Sequence, residues 1–289
     1  MGYHAGVRAY REAVSSLDLA SLDAHYTAGL GWFHDVFAPH LKGVLEALSG
    51  GAWDLSRFRA FAAGSDVDLI SHVVEAVASR EPVSLYPGDW YGFLVGSTWR
   101  ERIAWSRAGE GALRCLCVPS VRNGHFTEEM RAFLDQPGPC LLNVNLFPTL
   151  PPAERAAVAA ALNPLLDRAM LSVSFSRGFG LTASQLGVML VHEDHPFARR
   201  FEAQWSWHTY FHNAIAARAF MALDVGALAA VDDARRRWVA ERLRGGGLPP
   251  IEGGSYYVRS FRVEGEVPAR LAPLARDGLL RLCFKPPQH

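Results

Sequence analysis

Along the first 50 positions apolar residues recur at helical spacing, as in Val7, Tyr10 and Val14 and again in Val36, Leu41, Val44, Leu45 and Leu48. Two or three helices are predicted there, stopped at Gly50-Gly51. Residues 58–63 are a short apolar run that enters Gly64-Ser65-Asp66, after which residues 67–78 return to helical spacing. That places Ser65 or Asp66 at a helix cap. Residues 83–86 read as a strand closed by Pro87-Gly88, a turn dipeptide.

The same rhythm continues. Strands are predicted at 112–119, 139–146, 170–175 and 186–191, with helices at 127–134 and 152–166 between them. His192-Glu193-Asp194-His195-Pro196 ends the last strand, and residues 197–223 and 231–243 have the spacing of long helices. A Gly- and Pro-rich stretch at 245–250 is the clearest hinge signal. Beyond it, strands at 255–263 and 279–284 flank a short helix at 268–276. Strands alternating with helices imply βαβ units and a mostly parallel central sheet.

Composition narrows the class. The 289 residues are 49% hydrophobic and 20% charged, the profile of a globular chain able to bury a sizeable core. Lys+Arg and Asp+Glu both number 29, so no global field draws the chain to nucleic acid or an anionic membrane. The basic run Arg235-Arg236-Arg237 is expected on a solvated helix face. Cys115 and Cys117 alternate onto one face of a strand and, with Cys140 and Cys283 scattered elsewhere, read as free thiols rather than a disulfide or metal framework. Neither a signal-like apolar segment nor a membrane-length run occurs, which points to a cytoplasmic protein.

One segment carries the candidate chemistry. Ser174-Phe175-Ser176-Arg177-Gly178-Phe179-Gly180-Leu181, followed by Gly187, resembles the cofactor-lysine segment of fold-type I pyridoxal-phosphate aminotransferases. The order of elements matches that family over roughly residues 55–285. The resemblance implies a three-layer α/β/α large domain with a mostly parallel sheet over 51–225. A trimmed small α+β domain would be built from a helical segment at 1–50 and from 226–289.

Site roles follow from the same resemblance. Gly64-Ser65-Asp66 is similar to the loop whose helix N-terminus holds the cofactor phosphate, a seat that suits an anion because free N–H groups and the helix dipole point at it. Ser174 and Ser176 stand where further phosphate donors are found. Trp90, in Gly88-Asp89-Trp90-Tyr91-Gly92-Phe93, takes the ring-stacking position. Asn123 sits in the counterpart of an Asn-Pro-x-Gly substrate segment, and Arg281 on the strand that grips a substrate carboxylate.

Three positions depart from the family pattern. Arg177 replaces the Schiff-base lysine, and a guanidinium stays charged and forms no imine. The strand end that should present an aspartate to the pyridine nitrogen offers Asn143 and Asn145, which are not ionisable. Gln185 replaces an arginine near the phosphate. Lysine is almost absent from the chain, with only Lys42 and Lys285.

The expectation is an aminotransferase-like homodimer without a lysine-bound cofactor. Its cleft would bind an amino acid or related small carboxylate through Arg281, Trp90 and Arg177, as a pseudoenzyme or a repurposed biosynthetic protein. Two alternatives stand beside it. In one, pyridoxal or pyridoxamine phosphate is held non-covalently by Ser65, Trp90, Asn145, Ser174 and Ser176. In the other, His208 and His212, one helical turn apart, hold a metal; the bulky aromatic residues around them favour packing. No hydrolase elbow, dinucleotide fingerprint or phosphate-loop motif is present.

Overall fold

The computed structural model describes residues 2–16, 31–89, 91–181, 186–205, 214–224, 233–234, 236–241, 251–263, 265–267, 269–276 and 278–283. Trp90, Gln185, His208 and His212 lie outside them, as do the whole 245–250 hinge stretch and Lys285.

Helix α1 (Gly2–Ser15) is followed by a π-helical turn, Phe33–Phe37, that runs directly into α2 (Ala38–Leu48). Gly50 and Gly51, both at positive φ (70° and 79°), then turn the chain. The apolar run becomes strand β1 (Phe58–Ala63), and α3 (Asp66–Ala78) follows at once. Next come β2 (Val83–Leu85), β3 (Ile103–Trp105), β4 (Leu113–Cys117), α4 (Glu128–Asp135), β5 (Cys140–Asn143), α5 (Pro152–Leu162), β6 (Ala169–Ser174) and β7 (Gly187–His192). Helices α6 (Pro196–Trp205) and α7 (Ala214–Met221) complete this part.

The seven strands order as β1-β7-β6-β5-β4-β2-β3. Strands β2 to β6 run parallel, while β7 is antiparallel to both its neighbours, β6 and β1. Alternate residues feed opposite layers: Leu116, Leu142 and Leu171 face a core shared with Phe37, Leu41 and Phe220, whereas Cys115, Cys117, Leu141 and Met170 face one shared with Val73, Val74 and Phe201. The result is a three-layer α/β/α body. Within it α2, from the first 50 residues, buries its apolar stripe against the seven-stranded sheet. Cys115, Cys117 and Cys140 are buried free thiols, and burial pushes the Cys140 thiol up to about 11.

Strands β8 (Val258–Arg262), β9 (Ala275–Arg276) and β10 (Leu279–Cys283) form a second, antiparallel sheet in the order β8-β10-β9. It docks on the turn after β4. Ser255 N donates to Gly124 O (2.8 Å) and the Ser260 hydroxyl to Arg122 O (3.2 Å). At Gly124, with φ 77°, an added Cβ would lie 2.4 Å from Val258 O, so no side chain fits between turn and strand.

Several boundaries differ from expectation for physical reasons. The helix expected at 268–276 is a 3-10 turn, Ala272–Leu274, leading into β9, because Pro273 cannot donate to a helical ladder. The helix expected to 166 ends at Leu162, and Pro164 sits in the 3-10 stretch that follows. The strand expected to 146 stops at Asn143, whose side chain accepts from Asn145 N (3.2 Å) and turns the chain. Arg236 does not lie on a solvated face: it donates to Thr149 O (3.0 Å) and Leu150 O (2.8 Å) and sits over the Tyr256 ring. No helix among the described residues is long and apolar enough to cross a membrane.

Candidate functional site

A cavity of about 170 Å³ opens at the carboxyl ends of β4, β5 and β6, where open α/β sheets collect their ligands. Cys117, Asn143 and Ser174 are the strand-end residues in its wall; Pro119, Val121, Asn145, Leu146, Ser176 and Arg177 continue it, and Phe93 supplies an aromatic side. Asp66, Val67 and Ile70 bring in the first turns of α3.

The loop between β1 and α3 is pressed against β7. A Cβ on Gly187 would fall 2.0 Å from Asp66 N and 2.2 Å from Ser65 C, so only glycine lets the helix start sit there. Ser65 caps that helix with its own side chain, the hydroxyl oxygen accepting from Asp68 N (3.2 Å). Asp66 opens the helix, and its carboxylate accepts from the Asn145 amide (Nδ2 to Oδ2, 2.6 Å). Burial raises the Asp66 carboxyl above its ordinary range, opposed by the Asn145 bond, the neighbouring backbone N–H groups and the charge of Arg177.

Asn145 is the centre of this corner. Its carbonyl oxygen accepts from Ser174 N (2.6 Å) while its NH₂ holds Asp66, so both halves of the amide are engaged. The Ser174 and Ser176 hydroxyls lie 3.2 Å apart. Gly178 lets Arg177 turn out at the cleft mouth, since a Cβ there would meet Asn145 O at 2.6 Å.

Behind the wall formed by Cys117 and Val121 stands a residue that the sequence pattern did not single out. Asp89 is buried, and its carboxylate accepts from Cys117 N (2.7 Å), the Ser120 hydroxyl (2.7 Å) and Val121 N (3.2 Å). Burial pushes its carboxyl up to about 7 against these bonds and the charge of Arg281. A carboxylate set between a turn dipeptide and Trp90-Tyr91 is the one available signal: aromatic neighbours imply burial, and a buried acid needs donors. Arg281, expected on substrate, is placed by β10 where its charge acts on Asp89. Asn123 accepts from His125 N (2.9 Å) and shapes the turn that carries Gly124.

The segment His192-Glu193-Asp194-His195 lies at the opposite, amino end of the parallel strands. There Arg57 pairs with Glu193 (2.7 Å) and Asp194, and burial lowers His195 to about 4. Among the described residues no group of three or more His, Cys, Asp or Glu is placed to hold a metal ion.

Pyridoxal phosphate is a poor match for the described residues of the cleft. A phosphate at the start of α3 would lie beside the Asp66 carboxylate, and the pyridine nitrogen would meet an amide already bonded at both ends. No amine stands at Arg177, and Lys42 donates to Ser56 O and Phe58 O (3.2 Å each), at the far end of β1.

No family model matches the chain, and no curated protein matches it in sequence. Solved structures do resemble it. An aminotransferase from Staphylococcus aureus superposes with a TM-score of 0.68 at 12% identity, covering 96% of this chain and 84% of that one. Aspartate aminotransferase from Thermotoga maritima gives 0.63 at 12% identity, covering 86% and 76%. Histidinol-phosphate aminotransferase from Sinorhizobium meliloti, solved in complex with pyridoxal-5'-phosphate, gives 0.62 at 18% identity, covering 93% and 74%. The chain has the fold of the fold-type I aminotransferases, with a mostly parallel seven-stranded sheet at its centre.

Proposed function

We propose that the cleft binds a small amino acid or a related small carboxylate without a lysine-bound cofactor, as a pseudoenzyme or repurposed member of the aminotransferase-like fold. The observation that carries this reading is the presence of Arg177 and Asp66 in one cavity wall whose other polar groups are neutral: Asn143, Asn145, Ser174 and Ser176. A zwitterion matches that arrangement. Its carboxylate suits the planar donors of Arg177. Asp66 accepts from the Asn145 amide, and a carboxylate has about four acceptor sites, which leaves room for an ammonium group. The volume of about 170 Å³ lies below the roughly 300–1,000 Å³ of sites for larger ligands, which favours a short side chain. Arg281 and Asn123 act in this reading by holding the wall, and two copies of the chain associate as a homodimer, which light scattering checks.

Thermal melting against the common amino acids and short keto-, hydroxy- and dicarboxylates tests the reading. At a hundredfold excess over Kd a ligand stabilises the fold by about 2.7 kcal/mol, a rise of several degrees in Tm. At least one compound should produce it, and Arg177→Gln should weaken that binding at least ~10-fold, the loss of one charge-assisted contact. A panel that shifts nothing, or a variant that keeps full affinity, removes the proposal.

A further inference from the structure

We infer that the amino acid taken by this cleft has an aliphatic side chain, and that it lies along the sheet edge with its charged head at the ends of β6 and β5 and its side chain against the end of β4. The inference rests on the reading above and deepens it by naming the class of ligand. It starts from strand order. In the seven-stranded sheet β6, β5, β4 and β2 are successive neighbours, so the residues at and beyond their ends line the cleft in that sequence. Ser174, Ser176 and Arg177 belong to β6 and the loop after it, Asn143 and Asn145 to the end of β5. Asp66, bonded to Asn145, joins this polar end. From β4 onward the character changes. Cys117, Pro119 and Val121 form the wall, and Phe93 continues it from the 3-10 turn after β2. Val67 and Ile70 of α3 add further apolar surface.

Apolar side chains alone do not turn away a polar ligand group, because backbone N–H groups can serve it. Along 117–121, however, every N–H already has an acceptor. Cys117 N and Val121 N donate to the Asp89 carboxylate (2.7 and 3.2 Å), Val118 N to Asn143 O (2.8 Å) and Ser120 N to His125 O (3.0 Å). Pro119 has no N–H. The side-chain donors of this stretch are engaged as well: the Cys117 thiol donates to the Tyr91 hydroxyl (3.7 Å) and the Ser120 hydroxyl to Asp89 (2.7 Å). A carboxylate or amide side chain placed here would give up water and find no donor along the turn. An aliphatic side chain gives up nothing and buries its surface against the apolar wall. Asp89 thereby acts on specificity without touching the ligand, by withdrawing two N–H groups from the cleft.

Isothermal titration of wild type with glycine, alanine, norvaline, leucine, asparagine and aspartate tests the inference. Asparagine and aspartate nearly match leucine in shape, so their comparison isolates polarity. Affinity should rise roughly 4-fold per methylene from glycine to norvaline. Leucine should bind at least ~10-fold more tightly than asparagine or aspartate, the cost of a buried polar group without a partner. Val121→Thr keeps the shape and adds a hydroxyl, and should narrow the leucine-to-asparagine ratio at least ~3-fold. Where that variant does not melt as a folded protein, Ile70→Thr is held to the same comparison. Arg177→Gln, at the other end, should weaken leucine and asparagine alike and hold their ratio within about 2-fold. The inference is overturned if asparagine or aspartate binds within ~10-fold of leucine, if the folded threonine variant keeps the wild-type ratio, or if Arg177→Gln changes that ratio as much as the threonine does. Amino acids that bind wild type without this preference would end the inference and leave the reading above standing; no amino-acid binding at all would end both.

Discussion

Asp66 lines the cleft and Asp89 is buried behind its Cys117 and Val121 wall, and the two carboxylates serve different ends. Asp89 is sealed: Cys117 N, Val121 N and the Ser120 hydroxyl converge on it, and Arg281 brings the small sheet's charge to bear from behind. It ties the turn after β4 to the second sheet and so fixes the wall that Cys117, Pro119 and Val121 give the cavity. Asp66 is half-buried on the cavity surface, with Asn145 behind it and Arg177 in the same wall. A sealed carboxylate builds structure, whereas one at a surface determines which charges a ligand can carry.

That contrast breaks first at Asp89. Asp89→Ala leaves two buried N–H groups without an acceptor and removes the countercharge of Arg281, so urea unfolding should show a loss of about 3–5 kcal/mol. Asp66→Ser, half-buried on the cavity surface and bonded to one side chain, should lose less, about 1 kcal/mol, by the same measurement. Equal losses would end the distinction between the two.

The pH dependence of stability sharpens it. Asp89 has a folded value of about 7 against 3.8 for the free group, so the folded state holds its proton more tightly than the unfolded chain. Stability from this group is therefore largest below pH 4 and falls as pH rises to 7, with a slope of up to about 1.4 kcal/mol per pH unit. His195, kept neutral down to about 4, contributes the opposite slope between pH 4 and 6.5. Subtracting an Asp89→Asn profile from wild type isolates the aspartate, and a difference that does not fall across pH 4–7 would count against its buried, protonated form.

The smallest effect concerns Ser65. As a cap it should cost about 1 kcal/mol on substitution by alanine, with ligand affinity in the cleft unchanged. A Ser65→Ala protein of normal stability and weakened binding would make the hydroxyl a ligand contact instead.

Much of the scaffold was legible because it depends on local pattern. The periods of 2 and 3.6 marked β2, β4, β5, β6, β7 and α3, and their alternation implied a mostly parallel sheet. Short β3 escaped, since three residues at a sheet edge carry no pattern. Proline accounted for the shortened helices near Pro164 and Pro273 once their 3-10 turns were seen. At the site, Ser174, Ser176, Arg177 and Asn145 were legible as cleft residues, and the structure brings all four to one cavity.

What pattern could not show was orientation. Asp66 meets Asn145 across 79 residues, Asp89 meets Cys117 N across 28, and Arg236 meets Thr149 O across 87. Each of these polar side chains was read from its neighbours in the chain, and each is governed by a partner from another element.

The central claim is that this cleft selects a carboxylate through Arg177 in place of a pyridoxal phosphate cofactor. Side-by-side calorimetric titration of wild type with pyridoxal 5′-phosphate and with the best amino acid from the melting panel tests it most directly. The amino acid should bind saturably, Arg177→Gln should abolish or greatly weaken that binding, and pyridoxal phosphate should give no saturable heat. Saturable binding of pyridoxal phosphate to wild type, with the amino acid indifferent to Arg177, would contradict it.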